Sequence, residues 1–283
     1  MKNKLRKLKV ATIDGNIPSN MAHSIQFMKM VNGFNFVEDG FEVVTLFSIP
    51  IWKNRIKVKN VQKYYGIDSS IPIHYLPVFN SDFFNKTIGA RDFNSIFGNY
   101  IQWKKPQWVY ARSFLSVCEC VRRNIPVVLE THTTHYGHPD LNKIYSLAKF
   151  KAFLGLVTIH ENIKKEHIQR GIPESKILVL EDGVDLDQFN IEDDKLGWRR
   201  ALKLPEDKTI VTYSGGLYKE KGIEIIIQIA KLMKDDQNLV FLLVGGKEAE
   251  VLEWRVEAAK NNLKNVYFKG FVAPSEVPKY LKA

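Results

Sequence analysis

The segment from residue 214 to residue 222 carries residue types that can bind a phosphate group. Gly215 and Gly216 follow an apolar, strand-like run and precede a helical pattern, so a ligand can approach the backbone closely there. The N–H groups and the dipole at a helix start attract anions, and Lys221 adds a mobile positive charge. The segment therefore predicts a diphosphate site. The alternative is a tight strand-to-helix turn with Lys221 as a solvated surface residue.

A histidine follows a second strand-like run, at residues 126–130. At the end of such a strand, the imidazole of His132 can hydrogen-bond a ligand. The alternative is a polar residue that caps the turn after the strand. Residue type and position by themselves leave both roles of His132 open.

Three histidines at regular spacing raise the question of a metal site. His132, His135 and His138 recur at every third position, which would suit a metal only if they lay on one face of a helix. Gly137 and Pro139 indicate a loop instead. We therefore expect no metal site.

Short apolar runs alternate with helical patterns along the chain, which is typical of parallel α/β sheets. An acidic, polar stretch at 190–195 separates one such series from a second one. We predict two doubly wound, Rossmann-like domains, residues 1–189 and residues 190–283. Residues 51–105 lack a clean period, and we expect loops there with a helix from about 90 to 102.

Composition narrows the class of protein. No apolar run approaches the roughly 18 residues of a membrane span, and the basic start lacks the apolar stretch of a signal peptide, so we expect a cytoplasmic protein. Cys118 and Cys120 are too close along a helix to build a disulfide framework. The net charge of +10 favours an anionic partner, such as a phosphorylated donor or an acidic membrane surface at the inner side of the membrane. No nucleic-acid-binding module is recognisable, so we expect no nucleic-acid partner.

The phosphate-binding segment also resembles a motif of one enzyme family. Its pattern Gly-x-Leu-x-x-x-Lys-Gly, from Gly215 to Gly222, is similar to the donor phosphate loop of retaining glycosyltransferase family 4. Further segments resemble the family in the same order along the chain: the crossover segment 163–189, the strand ends 243–246 and 268–272, and residues 277–280.

The resemblance implies the GT-B fold, in which two Rossmann-like domains face a cleft. A nucleotide diphosphate sugar would bind mainly to the second domain, and its sugar would pass with retention to the hydroxyl of a carbohydrate or lipid-linked acceptor. The family is usually metal-independent, so no cofactor is expected. The residues that the resemblance assigns are His132 and Lys221 for catalysis, Gly215, Gly216, Gly245, Phe271 and Asp182 for the donor, and Gly15 and Asn20 on the acceptor side. The family carries a histidine at such a strand end, so the resemblance implies that His132 hydrogen-bonds a sugar hydroxyl or the pyrophosphate. Arg112 is assigned to the acceptor side by its position after a strand.

Several positions depart from the family pattern. Gly216 stands where the family often has an arginine, Asp182 stands where asparagine is usual, and the loop that holds Gly15 lacks the family's paired glycines. For Gly15 and Asn20 we favour an ordinary strand-to-helix loop, with Ser19 or Asn20 as the helix N-cap. Arg112 follows the strand-like run 108–110 and can either hold an acidic acceptor or pair with a carboxylate.

The end of the chain is the largest departure. The family's two glutamates, seven residues apart, would lie beyond the last helical pattern, so we expect the second domain to be incomplete and the chain to be truncated. Two other functions stay open. One is a noncatalytic GT-B-like binding or partner protein, stabilised as a homo-oligomer, and the other is a GT-B sugar-nucleotide epimerase.

Overall fold

A computed structural model describes residues 8–13, 17–19, 21–49, 58–68, 70–79, 89–133, 142–192 and 194–283. The chain divides into two compact units, Met1–Val184 and Asp185–Ala283. The sequence placed the boundary a little later, after Phe189. In the structure Asp185 caps a short helix, because its side chain accepts a hydrogen bond from the backbone N–H of Gln188.

The described part of the first unit holds a seven-stranded parallel sheet in the order β3-β2-β1-β4-β5-β6-β7. Its strands are β1 (Lys9–Thr12), β2 (Phe41–Ile49), β3 (Ile73–Phe79), β4 (Trp108–Ala111), β5 (Val127–Glu130), β6 (Phe153–Thr158) and β7 (Ile177–Val179). The strand order reverses between β1 and β4. Ligands bind at such a reversal in open α/β sheets, outside the carboxyl ends of the strands.

Helices cover this sheet: α1 (Ala22–Val37), α2 (Val61–Tyr65), α3 (Gly89–Lys104), α4 (Phe114–Arg122), α5 (Asn142–Leu147) and α6 (Glu161–Gln169). Helix α3 buries Phe93, Phe97 and Ile101, one turn apart, so that a single face of the helix packs against the strands. Strand residues such as Val109 and Val127 join the same core. The continuous apolar strand runs thus reflect burial on both faces of the sheet.

The region that lacked a clean sequence period holds more structure than the predicted loops and helix. The helix is present as α3, but the chain also forms α2 and the sheet-edge strand β3. Pro77 and the polar His74 lie within β3. A proline is tolerated in an edge strand because the outer side of that strand has no neighbouring strand, so no ladder hydrogen bond is lost when the N–H is missing. The prediction of loops was wrong at β3 for this reason.

The second unit holds a three-stranded parallel sheet, ordered β10-β9-β8 in the part that the structure describes. Its strands are β8 (Thr209–Ser214), β9 (Leu239–Val244) and β10 (Val266–Gly270), and its helices are α7 (Leu186–Phe189), α8 (Lys195–Leu202), α9 (Ile223–Leu232), α10 (Glu248–Lys260) and α11 (Val277–Lys282). Helices α9 and α10 pack with Phe241 and Leu243 in one cluster. Tyr280 of α11 packs with Leu242 and Val244 in another, so β9 is buried on both faces.

No helix in the described ranges combines the length and the apolar character needed to cross a membrane.

The buried histidine of α6 predicts a pH dependence of stability. His167 is fully buried, and neither of its ring nitrogens has a hydrogen-bond partner in the described structure. Burial lowers the pKa of His167, and the charge of Arg170 lowers that pKa further against an opposing effect of Glu166. The unfolded chain therefore binds the proton more readily. Because of this difference, the free energy of unfolding should fall as the pH drops below the ordinary histidine value of about 6.5.

We expect His167→Phe to reduce this acid sensitivity, since an apolar ring replaces a ring whose nitrogens are unpaired. Denaturant unfolding at pH 7.5 and pH 5.5 compares the two proteins. The wild type should lose more stability between these pH values than His167→Phe does. An equal loss in both proteins would contradict the assignment of this effect to His167.

Candidate functional site

The first unit gathers polar side chains at the carboxyl ends of β4 and β5, beside the point where the strand order reverses. Arg112 directly follows β4, and its backbone N–H donates to Thr12 O at 3.0 Å, which ties the end of β4 to the end of β1. His132 follows β5. The register pairs β4 with β5 in parallel, so both strands deliver these residues to one edge.

A buried carboxylate joins the two predicted residues. The Glu130 side chain is 1% exposed, and its Oε1 lies 2.6 Å from His132 Nε2 and 3.6 Å from Arg112 Nε. In the sequence, Glu130 stands out only as the last residue of a strand. Its side chain was missed because β5 is otherwise apolar, although a charged residue closing an apolar run is itself a signal.

Arg112 is engaged by protein groups. Besides Glu130, its Nη1 donates to His23 O at 3.1 Å and to Gln26 Oε1 through a short hydrogen bond. The sequence left two roles open for Arg112, which were binding an acidic acceptor and pairing with a carboxylate. The structure shows a pairing with the carboxylate of Glu130. Gln26 was not singled out from the sequence, since it looks like any polar residue of an amphipathic helix.

Asp182 belongs to the same network. Its Oδ1 accepts a hydrogen bond of 2.6 Å from Gln26 Nε2, and it lies within the first unit. The resemblance grouped Asp182 with the donor-binding residues. The structure brings it together with Arg112 and His132, so three predicted residues share one polar network through Gln26 and Glu130.

The loop between β1 and α1 was predicted to contribute Gly15 and Asn20, and both lie outside the described residues. Between them, Ser19 is held at both backbone polar groups by one tyrosine. Its N–H donates to Tyr65 Oη at 2.7 Å, and the Tyr65 hydroxyl donates to Ser19 O at 3.0 Å. The structure thus shows how the described part of this loop is anchored to α2.

In the second unit, three neighbouring strand ends are joined by backbone hydrogen bonds. The Gly215 N–H donates to Val244 O at 2.9 Å, and the Gly245 N–H donates to Gly270 O at 2.8 Å. Gly245 has a φ of +116°, and a Cβ at this position would lie 2.1 Å from Gly215 O. Only glycine fits there, because a side chain would push the loop after β8 away from the loop after β9.

Side chains fix the loop after β8 more firmly than the sequence indicated. Trp254 Nε1 donates to Leu217 O at 2.6 Å, and Tyr213 Oη donates to Gly216 O at 2.9 Å. Glu250 Oε2 accepts from the Leu217 N–H at 3.2 Å and caps α10 at the same time. The Leu217 amide is therefore already bound to a carboxylate, so the Gly215–Gly216 turn offers fewer backbone donors than a bare helix start.

Lys221 lies in a 3₁₀ turn that precedes α9 and is exposed. Its Nζ is 5.7 Å from the centre of the Tyr218 ring. Burial raises the pKa of Tyr213, the tyrosine that holds Gly216, and the positive charge of Lys221 opposes this rise. Lys221 thus supplies positive charge beside the predicted phosphate loop.

The two remaining positions of this unit differ in their surroundings. A Cβ at Gly216 would lie 2.6 Å from a ring atom of Tyr218, so the family's arginine could stand here only if that ring moved. Phe271, directly after β10, is 43% exposed and presents apolar surface that a base can stack on.

Within the described ranges, no group of three metal-ligating side chains occurs; His135 and His138 lie outside those ranges.

The contact between the two glycine loops gives a direct test. We expect Gly245→Ala to lower the free energy of unfolding by about 1–3 kcal/mol, because it combines a positive φ with a backbone clash. Denaturant unfolding measures the change. Gly33→Ala is the matched control, since a Cβ at this exposed helical glycine meets nothing within 4 Å. That control should stabilise the protein by about 0.5–1 kcal/mol, and equal behaviour of the two variants would refute the packing argument.

Comparison with known proteins finds similarity to glycosyltransferases. Residues 194–283 match the family described as Glycosyl transferases group 1. The chain is 26% identical over 129 residues to the putative colanic acid biosynthesis glycosyl transferase WcaI of Escherichia coli K12. That match takes in 44% of this chain and 31% of the relative, so the chain spans about a third of that relative's length.

Solved structures extend the likeness across both units. Anabaena HepE in complex with UDP and glucose has a TM-score of 0.68 at 16% identity, covering 97% of this chain and 71% of that one. A UDP-GlcNAc 2-epimerase from Neisseria meningitidis, bound to UDP-GlcNAc, has a TM-score of 0.61 at 15% identity, covering 98% and 76%. The fold class predicted from the sequence is confirmed. The chain has the GT-B fold of glycosyltransferases, and its residues 194–283 match the glycosyl transferases group 1 family.

Proposed function

We propose that this chain provides the acceptor-side and nucleotide-sugar-binding units of a retaining glycosyltransferase resembling family 4. The enzyme would move a sugar from a nucleotide diphosphate sugar to a hydroxyl of a carbohydrate or lipid-linked acceptor. The observation that carries the proposal is the second unit's set of joined strand ends, with Gly215 and Gly245 in contact and Lys221 beside them.

Donor binding follows from the charge and shape of those strand ends. The absence of side chains at Gly215 and Gly245 lets a diphosphate approach the backbone, and Lys221 supplies the positive charge. The presence of UDP and glucose in the Anabaena relative supports a nucleotide-sugar donor. Phe271 offers an exposed ring for the base.

The chemistry requires a bond to break between the anomeric carbon and the diphosphate. Negative charge then grows on the leaving oxygen, and a fixed cation at that point lowers the barrier. We assign this task to Lys221, which takes the place of a metal ion. His132 would hydrogen-bond the transferred sugar from the first domain, since its side chain is 24% exposed while its Nε2 is held by Glu130.

A sugar-nucleotide epimerase is the second candidate. The carboxylate and imidazole of Glu130 and His132, 2.6 Å apart, are residue types that such chemistry uses. However, Glu130 is 1% exposed, so its carboxylate is closed to a sugar carbon. We therefore rank transfer first. Analysis of the products decides between them, because transfer releases the nucleoside diphosphate and epimerisation conserves the nucleotide sugar.

The lysine of the donor loop provides the first test. We expect Lys221→Ala to weaken UDP binding at least about 10-fold in calorimetry, the value for a lost charge-assisted hydrogen bond. Lys231→Ala is the control, because Lys231 is an exposed lysine on α9 of the same unit. It should bind UDP like the wild type.

A parallel titration with GDP identifies the base. If the folded wild-type protein binds neither UDP nor GDP in a saturable way, this result would contradict a donor site in this chain. Binding of a nucleotide sugar without any turnover would favour the noncatalytic alternative over an enzyme.

The histidine of the first unit provides the second test. We expect His132→Ala to lower kcat for nucleotide-sugar turnover by about 100-fold, the usual worth of a positioned acid–base or hydrogen-bonding group. UDP affinity should stay unchanged, since we assign the diphosphate to the second unit. A loss of UDP affinity together with an unchanged kcat would reverse these assignments.

A further inference from the structure

The buried carboxylate at the end of β5 has no role in the proposed reaction as described so far. Glu130 Oε1 contacts both His132 Nε2 and Arg112 Nε, while Glu130 Oε2 is buried and has no hydrogen-bond partner among the described residues. Burying a carboxylate is costly, and leaving one of its oxygens unpaired adds to that cost. A sequence retains such a group most readily where it serves a site.

The contact with the carboxylate determines which nitrogen of the His132 imidazole carries the proton. An ionised carboxylate only accepts hydrogen bonds, so His132 Nε2 must carry the proton in the contact of 2.6 Å. In the neutral ring the other nitrogen, Nδ1, then has a free lone pair. No residue in the described ranges donates to Nδ1, so this nitrogen can accept a hydrogen bond from a ligand hydroxyl.

Both neighbours of the carboxylate are themselves held in place. The backbone next to His132 is fixed by the Thr131 N–H, which donates to Val157 O at 2.9 Å, and by Thr131 Oγ1, which donates to Thr133 O at 2.9 Å. Arg112 is held by the carbonyl of His23. Glu130 therefore sits in a rigid setting, in which a small change of its side chain acts on the orientation of His132.

We propose that Glu130 is a positioning residue that acts through His132. Its carboxylate fixes the Nε2–H tautomer and the ring orientation, and so presents Nδ1 as the acceptor for a hydroxyl of the sugar. Arg112 offsets the buried charge of Glu130 and does not contact the substrate. The role in transfer rests on the proposed function, whereas the tautomer is a property of the protein alone.

The tautomer is measured first, on the full chain, by ¹⁵N NMR of the imidazole rings at pH values where they are neutral. His132→Gln identifies the signals of His132. We expect a single Nε2–H form in the wild type and a mixture of tautomers in Glu130→Met, which cannot accept the hydrogen bond. An Nδ1–H form or a mixture in the wild type overturns the proposal, even if Glu130→Met does not fold.

The action through His132 is measured by a double-mutant cycle on nucleotide-sugar turnover. We expect Glu130→Met to lower kcat on the order of 10-fold, as loss of an outer partner of a functional histidine commonly does, with KM for the donor unchanged. In the His132→Ala background the same substitution should have no further effect. A full additional loss in that background would show a structural role and overturn the proposal.

The matched control is Glu119→Met, which removes a carboxylate paired with Arg122 and Arg123 on α4 of the same unit. It should leave kcat unchanged, and a loss equal to that of Glu130→Met would overturn the proposal. Failure of the proposed function is distinguishable. It would appear as no nucleotide binding by the wild type, while the tautomer measurement still judges the contact between Glu130 and His132.

Discussion

Strands that run parallel all end at the same edge of their sheet, and this constraint places the candidate residues Arg112, His132, Gly215 and Gly245. In the first unit the pairing of β4 with β5 brings Arg112 beside Glu130 and His132, although the helix α4 separates them along the chain. In the second unit the same constraint brings Gly215 against Gly245. The two glycines lie at the ends of adjacent strands, and their backbones touch because neither carries a side chain.

The two edges solve different physical problems. The edge of the first unit concentrates charge in a buried setting, where one carboxylate, one guanidinium and one imidazole hold each other in fixed orientations. Such a network fixes the orientation of its side chains, but taking their charges out of water costs free energy. The edge of the second unit exposes backbone and lysine side chains, among them Lys219 and Lys221, which suits a ligand that brings its own negative charge. In the proposed sugar transfer, the first surface would orient the sugar and the second would hold the leaving group.

Glu250 and Trp254 show how the second edge is kept in place. They bind the amide and the carbonyl of Leu217 from helix α10, so the loop after β8 is anchored to the helix that follows β9. The anchoring uses one backbone donor that the sequence had assigned to phosphate. Because fewer backbone N–H groups are left to bind an anion, the positive charge of Lys221 would contribute a larger part of the binding.

The sequence by itself determined the fold class and most of the elements, because burial on both faces of a parallel sheet leaves continuous apolar runs such as β5 and β9. It also identified Gly215, Gly216 and Lys221 as the residues of one loop region, since turn chemistry is local. It missed β3, where Pro77 is tolerated only because the strand lies at an edge. The pairing of Glu130 with His132 and Arg112, and that of Asp182 with Gln26, were decided by tertiary structure alone. Hydrophobic periodicity reports whether a position is buried, but a hydrogen bond depends on which distant residue the fold brings within about 3 Å of it.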